Sequence, residues 1–544
     1  MRVSCVEANL DTMTADDPRD SRASWRTFHG VLAIAAELAA DRHVDSAAIA
    51  LQIAAEFASH NHPGTLASPQ AERLVAELGR QLPGTGLRQR ARVRPPESIL
   101  HVMTRASAIG GTTRTVANWI RQDRHRRHTV ALTSQRTQPV PDWFSDAVRA
   151  SGGTIHILDA ESTRLTARAT RLRAAIAASD FVDLIPIPFD IVPLLAVAGL
   201  ADRPPVVLVD HCDHMFWLGG GLVDAVAHMR QAGTELGRRR RGIPAERQVM
   251  LPVPIEPRQR TLDRVAAKAA LGIPADAILM LTVARGGKYR PIQEPGFFDL
   301  IDRILHRHPQ ARLLAVGPQA SDPWIHLGPE TRARVATLGE VPATPTMFEA
   351  ADIYLDSFPF ASNTSLMEAG LAGVPLVCCC RFPAEADVMH PGAPGLDGTV
   401  VRTTGADAYV DEVSALIVDD THRRAVAARI ETSLTAAHCG EGWQGYLEAM
   451  YAAVRPGASA ITCAVPDADH DSPLTVALRE LGLGFSLAGI VERHLAEQPA
   501  AIRVPVLRRL RRLDASCSRS LFLPSSMRSL VRQRTPVEVR ARRG

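Results

Sequence analysis

Apolar residues recur at helical spacing over the first eighty positions. Trp25, Val31, Leu32, Ile34, Ala35 and Leu38 share one face; Ala47–Phe57 is a second amphipathic run and Pro69–Leu82 a third, with His62-Pro63-Gly64 breaking between them. This predicts a helical N-terminal module over residues 1–95, ending in the arginine-rich linker Arg88–Pro96. From Ser98 the period changes. Short apolar runs at Ile99–Met103, His128–Leu132, Thr154–Leu158, Phe181–Ile187 and Val206–Asp210 alternate with helical stretches, the first of them Thr115–Gln122 after the turn Gly110-Gly111-Thr112-Thr113. A proline-marked joint at Leu251–Pro257 precedes a second strand–helix series from Ile278. Alternation of this kind predicts parallel sheets with helices on both faces, hence an α/β protein with two lobes, 96–255 and 256–440. Ligand sites are then expected at the strand C-termini, facing a cleft. Residues 441–456 read as a closing helix with Trp443, Tyr446, Leu447, Met450 and Tyr451 on one side, and 457–544 as a helical extension with an arginine-rich tail.

Charge changes this picture in one place. The formal net charge of +4 conceals about +10 over residues 501–544, so the rest of the chain is mildly acidic. The tail's arginines alternate with Leu507, Leu510, Leu513, Leu521, Phe522, Leu523 and Leu530, a pattern suited to an anionic membrane surface, or to no partner at all. Nucleic acid is disfavoured by the scarcity of aromatic residues for stacking there. Eight cysteines without CxxC spacing, three of them consecutive at 378–380, point to a reducing compartment and away from a thiolate metal site. The N-terminus lacks the apolar core of a signal peptide, and Phe181–Ala201 carries two aspartates and three prolines, unlike a membrane span. A cytoplasmic protein is expected, touching the inner face of a membrane at most through its tail.

The chemistry concentrates between Ile278 and Val377. Arg285-Gly286-Gly287-Lys288 follows an apolar strand and sets two cations beside flexible backbone. Lys288 is one of only two lysines, the other being Lys268, in a chain with 62 basic residues. A compact ammonium suits a phosphate oxygen where a planar fork fits poorly. Further on, Ser362-Asn363-Thr364-Ser365 opens a helix with Glu368 one turn inside. Unpaired N–H groups and the positive dipole end favour phosphate there, and a carboxylate one turn in can accept from ribose hydroxyls; Thr364 and Ser365 also suit plain N-capping. In the first lobe, His211 and His214 flank Asp213 just after a strand, an arrangement suited to general-base work on an acceptor hydroxyl, to a structural role, or to an incomplete metal set. Asp467-Ala-Asp469-His-Asp471 and Arg238–Arg241 read as solvated surface, the latter with an anionic acceptor or membrane as the other option.

In this order and spacing the motifs resemble a GT-B glycosyltransferase over about Ser98 to Tyr451. The second lobe is similar to the glycosyltransferase-1 domain: strand–Arg-x-x-Lys, Val316-Gly317, Leu338-Gly339, Ala351-Asp352, then Glu368-Ala-Gly-Leu-Ala-Gly-Val-Pro375. The resemblance implies two Rossmann-like lobes with a cleft between them, preceded by a small helical domain. It implies transfer of a sugar from a nucleotide-sugar donor to a hydroxyl or amide of a glycan, lipid-linked or protein acceptor, with no metal and no cofactor. Gly110, Gly111, Arg285, Lys288, Asn363, Thr364, Ser365 and Glu368 would bind the donor, and His211, His214 and Asp213 would serve catalysis. One feature departs from the pattern. Many retaining members carry a second glutamate eight residues before the one on the ribose; here that position is Phe360. Asn363-Thr364-Ser365 is closer to the His-Thr-Thr turn of the inverting O-linked N-acetylglucosaminyltransferases, which also carry a helical module ahead of the lobes. A nucleotide-sugar epimerase on the same fold and a non-catalytic nucleotide-sugar binder are the rival readings.

Overall fold

The structure, a computed structural model, describes residues 20–84, 94–200, 202–256, 260–341, 344–457, 464–482, 484–523 and 527. The linker from Arg88 to Val93 and the tail from Arg528, including Leu530, lie outside them. The chain divides into two compact units, one of residues up to Leu66 with those from Asp467 onward, the other Ala67–Pro466.

The larger unit holds two wholly parallel sheets. The first contains β1 (Ser98–Met103), β2 (Arg127–Leu132), β3 (Ile155–Ile157), β4 (Phe181–Ile185), β5 (Val206–Asp210), β6 (Ala225–His228) and β7 (Gln248–Met250), in the order β3-β2-β1-β4-β5-β6-β7. The second contains β8 (Ile278–Val283), β9 (Ala311–Val316), β10 (Val335–Thr337), β11 (Ile353–Leu355), β12 (Leu376–Cys379) and β13 (Val401–Thr403), in the order β10-β9-β8-β11-β12-β13. Strand order reverses beside β1 and β4 in one sheet and beside β8 and β11 in the other, and open parallel sheets bind ligands outside the strand C-termini at that point. Gly317 is fixed by this geometry. Its φ is +109°, and a β-carbon there would lie 1.8 Å from the Ala284 carbonyl oxygen at the end of β8.

β6 and β7 escape the sequence pattern, and the Gly111–Gln122 helix starts four residues before the expected Thr115. Gly110, at φ +143°, is its N-cap, a conformation closed to a side chain, so the glycine pair begins the helix rather than a turn ahead of it. The closing helix, Gly440–Ala453, returns to the first lobe. Trp443, Leu447, Met450 and Tyr451 are buried in that lobe's core, and the Trp443 indole N–H donates to Pro252 O at 2.7 Å.

Two expected boundaries shift. The third helix, Pro69–Arg80, sits with the lobes and not with the N-terminal module. Arg173, 1% exposed, donates to Gly79 O at 2.7 Å and Leu82 O at 2.8 Å after that helix, and to Ala196 O at 3.1 Å and Ala198 O at 2.6 Å. Glu72 accepts from Gly219 N and Gly221 N at 2.7 and 2.8 Å. The C-terminal extension, in turn, shares one unit with the helices Ser21–Ala40 and Val44–Asn61. Leu507 and Leu510 are fully buried in it, and Leu521 nearly so, which removes them from any lipid-facing stripe. Arg503 is buried too and donates to Gln498 O and Leu523 O. Asp469 and Asp471 are exposed, as read from the sequence; Asp469 accepts from Ser472 N and Asp471 pairs at the surface with the distant Arg22 guanidinium. Among the described residues no helix is long and apolar enough to cross a membrane.

Arg173→Ala leaves several buried carbonyls without a donor, each costing about 1–3 kcal/mol. A drop in unfolding free energy of about 3 kcal/mol or more is expected, with faster amide exchange in Pro69–Arg80 than in β1. Exchange in that helix unchanged from wild type would contradict the anchoring role.

Candidate functional site

The second lobe's share of the site is built where its strand order reverses. β8 ends at Val283, and the chain turns through Arg285 into the short 3-10 segment Gly286–Tyr289, carrying Lys288. On the neighbouring strand β11 ends at Leu355, and Asp356 to Ser362 form the loop before the helix Asn363–Leu371. Lys288 Nζ crosses between them and donates to Ala361 O at 2.7 Å, with the Phe360 ring centroid 4.8 Å away. Burial pushes the Lys288 ammonium down to about 8, opposed by the negative charge of Asp356. Arg285 points to solvent, its side chain 76% exposed and its Nε 3.9 Å from Glu340. The other lysine, Lys268, is buried in an ion pair with Asp352 at 2.7 Å and lies outside the site.

The helix Asn363–Leu371 opens without a side-chain cap: Ser362 is the N-cap residue, and Asn363, Thr364 and Ser365 lie in the first turn. Thr364 and Ser365 are therefore not N-caps. Asn363 Oδ1 is buried with no hydrogen-bond partner among the described residues. Glu368 lines a cavity of about 580 Å³ between the lobes, together with Arg114 and Asn118 of the Gly111 helix and Arg260, Thr261 and Glu349 of the second lobe. The two helix starts face each other: a β-carbon at Gly111 would lie 3.8 Å from Thr364 Oγ1. Gly111 and Thr364 thus face each other, Lys288 is bonded to the loop just before the Asn363 helix, and Glu368 lines the interlobe cavity.

From the first lobe, the loop after β5 brings its histidines to different places. His211 Nδ1 is 3.3 Å from Val209 O; a carbonyl only accepts, so the N–H sits on Nδ1 and Nε2 keeps its lone pair. Burial holds this imidazole below its usual range, hence neutral at pH 7. The His214 ring packs tilted against Phe360, centroids 4.8 Å apart, so Phe360 touches both a first-lobe histidine and the second-lobe lysine. Asp213 is paired chiefly with Arg230 and also lies beside His214. Burial alone would raise its carboxyl, but Arg230 holds it well below the carboxylate range through bonds of 2.6 and 2.7 Å; His214 Nδ1 is 3.6 Å away.

Sequence reasoning missed three groups. Arg230, 7% exposed, also donates to His390 O and Val388 O at 2.8 Å, tying the first lobe to the second. Arg241, part of the run read as solvated, is buried: it donates to Asp213 O and Met215 O and lies 4.1 Å from the Trp217 ring centroid, while only Arg238 and Arg239 match the surface reading. Burial moves its guanidinium down to about 10. Asp356 is the third, 1% exposed, its Oδ1 accepting from Ser357 N and Ser362 N at 2.9 Å each. An acid directly after an apolar strand was the available signal for Asp356; the two arginines carried none in a chain so rich in them.

Comparison with known proteins places the fold. The structure matches that of Anabaena Alr3699/HepE in complex with UDP and glucose at a TM-score of 0.50 and 14% identity, covering 66% of this chain and 100% of that one; the UDP complex of the same protein gives the same values. The fold is GT-B. In sequence, the D-inositol 3-phosphate glycosyltransferase of Mycobacterium leprae is 30% identical over 166 residues, 28% of this chain. The match spans 36% of that relative's length. No protein-family model matches the sequence.

With only two lysines, methylation with 13C-formaldehyde gives a spectrum in which Lys288 is assigned by Lys288→Arg. Its methyl signal is expected to titrate near pH 8; a midpoint above about 10, the free-lysine value, would show an ammonium in open water.

Proposed function

We propose that the protein is a glycosyltransferase moving a hexosyl group from a nucleotide-sugar donor to an acceptor hydroxyl or amide, with protein cations in place of a metal ion. The observation that carries this reading is the placement of Lys288 beside the uncapped start of the Asn363 helix, at the switch point of the second sheet and opposite the Gly110–Gly111 helix start. Two helix N-termini and an ammonium converge there on one space, which suits a diphosphate. The reported UDP complexes of HepE and the name of the Mycobacterium leprae relative support the same donor class.

In this reading the donor diphosphate lies against Lys288 and the backbone N–H groups of Asn363, Thr364 and Ser365, with Arg285 closing over it from solvent. Glu368 accepts from the ribose hydroxyls at the rim of the interlobe cavity. As the glycosidic bond breaks, negative charge grows on the departing phosphate, where ammonium and helix dipoles are already oriented; such groups act most strongly where water is excluded. His211, neutral with its Nε2 lone pair free of the Val209 bond, takes the acceptor proton. Phe360 presents an apolar ring where retaining relatives of the fold carry a carboxylate, so the sugar there meets no second negative charge. His214 packs against that ring and positions it.

The test is calorimetric titration of UDP-glucose, UDP-N-acetylglucosamine, GDP-mannose and ADP-glucose, followed by product analysis with and without acceptor sugars. One donor should bind, with Kd weakened at least tenfold by Lys288→Ala and by Glu368→Ala, about 1.4 kcal/mol or more each. His211→Ala should lower kcat by about 10²–10⁴ with donor Kd unchanged. No binding by any donor overturns the proposal. Turnover without acceptor points to elimination chemistry, and tight binding without transfer or hydrolysis to a non-catalytic binder.

A further inference from the structure

Asp356 stands beneath the proposed diphosphate site with an arrangement that its neighbours do not explain as packing. One oxygen, Oδ1, accepts from both Ser357 N and Ser362 N, closing the loop between them into a ring. The other, Oδ2, is buried and has no hydrogen-bond partner among the described residues. The same loop carries Ala361, whose carbonyl holds Lys288, and ends one residue before the Asn363 helix. A buried carboxylate with one oxygen unsatisfied is costly unless a nearby cation offsets it or it takes up a proton.

We propose that Asp356 is the positioning residue of the diphosphate cradle and that binding of the nucleotide-sugar places a proton on its Oδ2. Resting on the donor-site reading above, the step is simple. The diphosphate brings negative charge to the helix start and draws the Lys288 ammonium toward itself. Asp356 then faces added negative charge with its counter-cation engaged elsewhere, and a proton from solvent converts its carboxylate to the neutral acid. Oδ1 keeps both backbone amides, so the loop holds its shape while its charge changes.

The surroundings leave Asp356 as the acid that titrates. Lys288 and Tyr289 face it from the turn after β8, Arg230 from the first lobe, Tyr354 from β11, Cys378 and Cys380 from β12, and Tyr409 from the Ala406–Val418 helix. Burial pushes those phenols and thiols far up, so they stay neutral, and Arg230 is committed to Asp213. Burial likewise raises the Asp356 carboxyl, to about 6, opposed by its amide bonds and by Lys288. The free protein therefore holds a carboxylate above pH 6 and the complex an acid, so affinity falls as pH rises through neutrality.

Calorimetry of the full chain with UDP-glucose, or whichever nucleotide-sugar binds in the screen above, tests this. Such a diester diphosphate has no proton of its own to exchange in the range. Near pH 7, Asp356 of the free protein is mostly ionised and Lys288 still mostly charged. There, in buffers of different ionisation enthalpy, wild type should take up close to one proton, falling toward half at pH 6, with Kd rising by up to about tenfold per pH unit. Asp356→Asn keeps the amide-accepting oxygen and should bind without proton uptake and with a flat pH profile. Binding by wild type without proton uptake overturns this inference alone, as does the same uptake in Asp356→Asn. No binding by any nucleotide-sugar overturns the donor-site reading and this inference with it. If Asp356→Asn fails to fold, the wild-type buffer series still decides.

Discussion

One guanidinium sets the geometry of the cleft. Arg230 is gripped on two sides by Asp213 and reaches across to the carbonyls of Val388 and His390. Bidentate pairing with a carboxylate fixes the plane of the fork, so the first-lobe loop bearing His211 and His214 is held in a set relation to the second lobe. Arg241 supports the same loop from below through the carbonyls of Asp213 and Met215. Removing a partner from a buried charge pair costs about 3–5 kcal/mol, which makes this the contact on which the packing of His214 against Phe360 rests.

Around that contact the fold repeats one device twice. Each sheet reverses its strand order beside its first strand, and each places a helix start at the reversal: Gly111 after β1 and Asn363 after β11. Neither start is capped by a side chain. Helix starts left open in this way keep N–H groups and dipole available to an anion, and a cleft between two of them concentrates that preference. Lys288 adds a positive charge partly withdrawn from water at this point; Arg285 adds one in solvent.

The two-lobed architecture was legible because it rests on local periodicity: apolar runs of five to seven residues alternating with helices leave little choice of sheet type. The proposed donor side could be named for a similar reason, since Arg285, Lys288 and the Asn363–Glu368 stretch lie after strand ends within a short span. What the sequence concealed depends on long-range contact. Pro69–Arg80 has the same amphipathic pattern as the helices before it, and partners about a hundred residues or more away, Arg173 and the amides of Gly219 and Gly221, assign it to the lobes. The tail's leucines alternate with arginines as a membrane-facing stripe would, yet Leu507 and Leu510 are fully buried. Asp213 keeps the neighbouring His214 that adjacency offered, at 3.6 Å, but its tighter partner is Arg230, seventeen residues later, which no local pattern announces.

The central claim is that the space between Lys288 and the start of the Asn363 helix is a diphosphate site. A crystal structure with UDP or the donor nucleotide bound tests it most directly. The account predicts phosphate oxygens within hydrogen-bond distance of Lys288 Nζ and of the Thr364 or Ser365 amide, with the ribose against Glu368. A nucleotide seated elsewhere, with Lys288 still bonded to Ala361 O, would contradict it.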